Sequence, residues 1–158
     1  MPDPRKLKRM GVFYAHAANE SPVKIERERK ELSEFLTKRS HEKLGAYMSP
    51  NIVVTSGRVE HKQSFTGDWE KWQRSIVKRK HATTGDIRYH MFVVPNKECG
   101  RATAGILEMA LREGRKVCLW DREAGKISKV YRVENFDPED WTAGFRVSTD
   151  RSQHESEE

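Results

Sequence analysis

Short apolar runs and longer amphipathic stretches alternate along this chain, and the alternation predicts its elements. Residues 11–16 (GVFYAH) form a compact apolar run that predicts a first strand. Ser21 then stands in a capping position before Pro22, whose missing N–H costs nothing at the first helical residue. Ile25, Leu32, Phe35 and Leu36 recur at helical spacing with charges between them, which predicts an amphipathic helix over 22–39. A short helical turn is expected at 41–48. Residues 52–55 (IVVT), introduced by Ser49-Pro50-Asn51, read as a second strand buried on both faces. After a polar loop, Asp68 is the expected cap of a second helix with Trp69, Trp72 and Ile76 on one stripe. Its basic end, Lys78-Arg79-Lys80-His81, suits a helix C-terminus, and a turn follows at 83–86.

The alternation continues. Tyr89–Val94 (YHMFVV) predicts a third strand, stopped by Pro95. Residues 102–113 predict a third helix closed by Gly114 as a left-handed cap. Residues 117–120 (VCLW) give a fourth strand, and 127–133 a fifth after the turn 123–126. One helical turn is expected at 137–141, with Pro138 at its first position, and an edge strand at 145–147. Strands of this length separated by helices imply parallel βαβ units with right-handed crossovers. The expected fold is therefore α/β, with a mainly parallel sheet of four to five strands in a single domain over 10–148. Residues 1–9 read as a flexible basic leader and 149–158 as a disordered acidic tail.

Composition narrows the class. The chain has 158 residues, of which 35% are hydrophobic and 34% charged, so one modest core must sit under a large solvated surface. No run approaches the length of a membrane span, and the N-terminal stretch lacks a small-residue cleavage site, so neither a span nor a secretory signal is expected. Cys99 and Cys118 are the only cysteines, which favours reduced thiols in a cytoplasmic setting over a structural disulfide. Residues 1–81 carry 18 Lys and Arg against 10 Asp and Glu, a net of +8, while the remainder is net −2. A positive half favours anionic partners by field alone, from nucleotides to nucleic acid, although solvated helix faces account for such charge equally well.

In an open parallel sheet, ligands lie outside the carboxyl ends of the strands, which directs attention to the loops there. After the third strand, Glu98-Cys99-Gly100 runs into a helix that opens with Arg101, Ala102 and Thr103. Unpaired backbone N–H groups at such a start favour an anion, and Gly100 allows close approach to the backbone. Arg101 can hold a phosphate by two parallel hydrogen bonds, and the Thr103 hydroxyl can add another. The competing view is an ordinary loop with Arg101 in water and Thr103 capping the helix. After the first strand, His16 is a candidate general acid or base and Asn19 a reader of a base edge or sugar hydroxyl. After the second, Ser56, Gly57 and Arg58 again pair backbone access with a guanidinium. Asp121, directly after the fourth strand, can hold a ribose hydroxyl or simply begin the following turn. No metal-ligand spacing, P-loop or serine elbow is present, so no metal and no cofactor is expected. Cys99, near a helix start, is a candidate reactive thiol, with an inert buried thiol the alternative.

The Glu98-Cys99-Gly100 loop and the helix ending Ala110-Leu111-x-x-Gly114-Arg115-x-Val117 resemble the nucleoside 2-deoxyribosyltransferase and nucleotide N-hydrolase group, and the related SLOG nucleotide-binding domains. The resemblance implies a small Rossmann-like three-layer sandwich that binds nucleosides or nucleotides at the strand ends, often as a homo-oligomer. It also implies a nucleophilic glutamate eight residues before Gly114, where this chain has Ile106. Glu108 lies two residues further on, turned by about 200° around a helix, so it does not substitute. The expectation is a nucleotide- or nucleoside-binding α/β protein acting at an N-glycosidic bond, with Glu98 or Asp121 as the carboxylate, His16 as its partner and Arg101 on phosphate. The alternative is a non-catalytic nucleotide sensor or a nucleic-acid-associated protein using the basic half.

Overall fold

The computed structural model describes residues 9–16, 20–56, 69–78, 89–142 and 144–151. Strand β1 (Arg9–Tyr14) leads into helix α1 (Pro22–Leu44), then strand β2 (Asn51–Ser56) and helix α2 (Trp69–Lys78). Strand β3 (Tyr89–Val94), the two-residue β4 (Glu98–Cys99) and helix α3 (Arg101–Arg112) follow. The chain closes with β5 (Lys116–Asp121), β6 (Lys126–Lys129), β7 (Arg132–Glu134) and β8 (Phe145–Ser148).

Five strands form one sheet in the order β2-β1-β3-β5-β6, parallel except for the antiparallel β5–β6 hairpin. Side chains alternate across it, as strand geometry requires. Val12 and Tyr14 of β1, Val93 of β3, and Cys118 and Trp120 of β5 join Leu32 and Leu36 of α1 in one apolar cluster. Phe13, Phe92, Val94 and Val117 point the other way, against Ile76 and Val77 of α2 and Ala104, Leu107 and Ala110 of α3. Both faces are thus covered, which is why the inner strands read as near-continuous apolar runs. Each fully buried large apolar side chain contributes about 1.5–3 kcal/mol, so Phe92 and Leu107, both at 0% exposure, are major anchors.

Several boundaries differ from the sequence expectation, each for a physical reason. Helix α1 continues five residues past Arg39 and absorbs the first half of the predicted turn, stopping at Gly45 with φ 81°. Ser21 stands at its start, yet its side chain makes no capping hydrogen bond. The predicted strand 127–133 is two strands, because the chain changes partner midway. Val130 N–H donates to Val117 O, and Tyr131 N–H donates to Ser148 O. β7 thereby joins a second, antiparallel sheet in the order β4-β8-β7. Consequently β8 is the middle strand of that small sheet rather than an edge, and the loop after β3 contains the short strand β4. Residues 137–141 form turns without a helix. Gly114 has φ 72°, the left-handed conformation expected of the α3 terminus, and Arg115 N–H donates to Ala110 O behind it. Asp150, placed in the expected tail, has its carbonyl bound by Arg132 at 2.9 Å. Among the described residues no helix is long and apolar enough to cross a membrane.

Candidate functional site

The strand order decides where to look. The chain leaves β1 toward β2 on one side and later returns to β3 on the other, so crossovers run in opposite directions from the β1–β3 pair. At such a reversal the connections diverge and leave a crevice at the carboxyl ends. A cavity of about 430 Å³ lies there, within the range of small-molecule sites. Its floor is made by Tyr14 and His16 at the end of β1, and by Leu119, Trp120 and Asp121 at the end of β5. The rim after β3 supplies Pro95, Asn96 and Lys97, the start of α1 supplies Glu20, Lys24 and Glu28, and the β5–β6 turn supplies Arg122 and Glu123.

The most enclosed charged group of the cleft is Glu28, 5% exposed, with Tyr14 fully buried beside it. Tyr14 donates its phenol hydrogen to Glu28 Oε1 at 2.5 Å. Arg122 Nη1 reaches the other oxygen, Oε2, at 3.4 Å, and its Nε and Nη2 both donate to Glu31 Oε2 at 2.9 and 2.7 Å. Burial first, then the Glu28 carboxylate, hold the Tyr14 hydroxyl well above the ordinary tyrosine range, so the phenol stays protonated. Hydrogen bonding to Glu31 pushes the Arg122 guanidinium further up. At the mouth, Lys24 pairs with Glu20 at 3.1 Å and lowers the Glu20 carboxyl. Among the described residues Lys97 makes no ion pair, which leaves its ammonium available at the rim.

The structure brings together some of the predicted residues and separates others. His16 and Asp121 both line the cleft. Asp121 does two things at once, because its Oδ1 also accepts from Ala124 N–H at 3.1 Å and so begins the turn. Thr103 stands beside them rather than in the cavity, donating to the His16 carbonyl at 3.3 Å and tying α3 to the end of β1. Ser56 is buried at the end of β2, opposite Tyr14, outside the cavity lining. Glu98 is exposed and paired across the small sheet with Arg146, also away from the cleft. Asn19, Gly57 and Arg58 lie outside the described residues, as do Asp68, Arg79, Lys80 and the side chains of Trp69 and Trp72.

Arg101 is placed differently from the phosphate clamp expected of it. Its side chain turns back along α3 and is 8% exposed. The guanidinium carbon lies 4.8 Å from the Phe136 ring centre and 4.3 Å from that of Trp141, and Nε donates to Pro138 O at 3.1 Å. Gly105 is the residue that makes room: a Cβ there would collide with the Arg101 guanidinium and the Gln73 carboxamide. Gly100, by contrast, has φ −79°, and a Cβ on it would meet nothing within 4 Å. Its backbone conformation is open to any residue. Ile106 is 3% exposed in the core beneath α3, and Glu108 pairs with Arg112 at 3.3 Å along the helix surface. Burial pushes the Cys99 thiol up to about 11, so its neighbouring helix start does not make it a thiolate at neutral pH.

Sequence reasoning missed Tyr14, Glu28, Lys97 and Arg122. Glu28 carried a usable signal: it stands three after Ile25 and four before Leu32, a carboxylate inside the apolar stripe of α1. Charge within a buried stripe needs a partner. The partners, from β1 and the β5–β6 turn, lie 14 and 94 residues away and had no local signature. Among the described residues no group of three or more His, Cys, Asp or Glu side chains is placed to hold a metal. No family model matches the chain, and neither does any curated protein or solved structure at a significant level.

Proposed function

We propose that the chain is a nucleoside- or nucleotide-binding protein of the Rossmann-like, three-layer type, and that its ligand occupies the cleft at the ends of β1, β3 and β5. The carrying observation is that one cavity of nucleoside size gathers His16, Asp121 and Lys97 at the point where the strand order reverses. Asp121 and Glu28 are hydrogen-bond acceptors for sugar hydroxyls, and Lys97 is the cation for a phosphate. His16 and Asp121 form the acid–base pair for cleavage or transfer at an N-glycosidic bond, in place of a covalent route through the Ile106 position. Two free cysteines suit a reducing, cytoplasmic compartment, and the resemblance to small nucleotide-binding domains makes self-assembly part of the proposal.

The test is thermal unfolding with adenosine, guanosine, cytidine, uridine and their 5′-monophosphates, with chromatography of the same mixtures for released base. A bound ligand at a hundred times its Kd adds about 2.7 kcal/mol of stability, a shift of several degrees for a chain this size. Asp121→Ala and Lys97→Ala should remove that shift while circular dichroism stays unchanged. A non-catalytic sensor gives the shift without base release. If no compound shifts the midpoint, and DNA binds with a steep salt dependence instead, the nucleotide reading fails in favour of nucleic-acid association through the basic half.

A further inference from the structure

The buried Tyr14–Glu28–Arg122 constellation has no stability rationale of its own. A carboxylate at 5% exposure loses most of its hydration, and partners of good geometry only offset that loss. An apolar side chain at position 28 would continue the Ile25–Leu32 stripe at equal or lower free energy, since replacing a buried ion pair by packed apolar groups is often neutral or stabilising. The charge therefore needs another explanation, and its place supplies one. Glu28 and both of its partners line the cleft at the β1–β3 reversal, and all three approach it from different elements.

Resting on the nucleoside-binding reading above, we propose that Glu28 is the specificity-determining carboxylate of the cleft, accepting the vicinal hydroxyls of a ribose. A carboxylate has about four lone-pair sites over two oxygens. Tyr14 occupies one site on Oε1 and Arg122 one on Oε2, which leaves one on each oxygen. Two acceptor sites side by side match two adjacent sugar hydroxyls. Arg122 acts as a positioning residue: anchored by two donors on Glu31, it reaches Glu28 Oε2 and fixes the plane of that carboxylate. Tyr14, protonated and immobile under the sheet face, prevents rotation from the opposite side. The ligand class is thus a ribonucleoside or ribonucleotide, with deoxy sugars disfavoured.

The experiment is calorimetric titration of the unaltered protein with its tightest ribonucleoside and with the 2′,3′-dideoxy form of the same base. Hydrogen bonds to a charged group set the expected preference for ribose at more than about tenfold. Glu28→Gln should bring the two ligands within about threefold by weakening the ribose form selectively, because an amide offers a donor where Oε2 accepted. Arg122→Gln should reduce the preference in the same direction, weakening the ribose form more than the dideoxy form. Equal binding of the two ligands by the unaltered protein overturns the proposal without needing any variant to fold. A ribose preference that survives Glu28→Gln overturns it as well and moves the reader elsewhere in the cleft. The absence of any nucleoside binding is a separate result, and sinks the functional reading together with this one.

Discussion

Two arginines with aromatic neighbours stand on opposite sides of the molecule, and their surroundings give them different tasks. Arg101 lies between the Phe136 and Trp141 rings over the notch at Gly105, bound to the Pro138 carbonyl. Arg122 bridges Glu28 and Glu31 at a cavity wall, with its guanidinium 5.9 Å from the Trp120 ring centre. The first is held by π faces and a carbonyl in a closed pocket, where the guanidinium acts as a flat, weakly hydrated plate. The second is one third exposed and holds carboxylates that face a cleft. A helix N-terminus after a glycine loop marks the first position in sequence as the anion seat. The fold turns its side chain inward and puts the cleft beside the second.

Breaking the closed pocket should have the largest effect. Gly105→Ala forces a methyl group against the Arg101 guanidinium and the Gln73 carboxamide, which is itself hydrogen-bonded to Ala102 O at 2.7 Å. Both are anchored, so the added carbon cannot be absorbed cheaply, and urea unfolding should show a loss of about 2–3 kcal/mol. Arg101→Ala comes next, at about 2 kcal/mol, from two lost cation–π contacts and the packing of a buried stem. If Arg101 is structural, this variant keeps its nucleotide-induced thermal shift. Loss of that shift in a folded Arg101→Ala protein would return the anion seat to α3 and reverse the comparison. Arg122→Ala should cost only about 1 kcal/mol, because the Arg122–Glu31 contact is largely exposed and only the Glu28 contact is enclosed. Its effect is expected on ligand selectivity instead.

A pH series sharpens the same contrast between enclosed and open groups. Burial raises the thiols of Cys99, to about 11, and of Cys118, while Tyr14 is raised further by burial and Glu28. The native state thus retains protons that the unfolded chain gives up above about pH 8.5. With fewer protons bound in the unfolded state, stability is full below that value and declines as pH rises toward 11. Denaturant midpoints should be level at pH 7 and 8 and then fall at pH 9 and again at pH 10, and Cys99→Ser should flatten the curve. A midpoint that is level from pH 8 to 10 would mean that the thiols are open to solvent.

The sheet was legible because its signal is local. Residues such as Phe92, Val93 and Val94 are apolar on both faces, and a run of that kind bounded by Pro95 has few alternatives. Two things were hidden. The change of partner at Val130 depends on β8, whose pairing residues lie twelve to sixteen positions downstream of those in β7, and no short window contains both strands. The direction of the Arg101 side chain depends on Gly105, one helical turn later, and on rings contributed by the segment after β7. Asp121 offers two alternatives in sequence, a turn-former or a strand-end carboxylate; the turn bond to Ala124 is present, and the residue also lines the cleft. Glu28 was overlooked because a glutamate on a charged helix is usually solvated, and only its phase within the Ile25–Leu32 stripe distinguishes it.

The smallest expected effect belongs to Gly100, the glycine of the loop before α3. Gly105 is required by its neighbours, whereas Gly100 sits at the N-cap of α3 with an ordinary extended backbone and open space where a Cβ would be. The cap makes no side-chain hydrogen bond, and no acidic residue stands in the first turn, so both the end amides and the positive end of the helix dipole are uncompensated by side chains. Gly100→Asp should therefore stabilise the protein by about 0.5 kcal/mol, read as a rise in the urea midpoint with an unchanged slope. The gain should shrink below pH 4 as the new carboxylate protonates, and in high salt as its interaction with the helix is screened. If an anionic ligand does occupy the start of α3, the same substitution would compete with it, and the gain in stability would come with a loss of the nucleotide shift. Retention of that shift leaves the ligand in the β1–β3–β5 cleft and the α3 terminus as a structural joint.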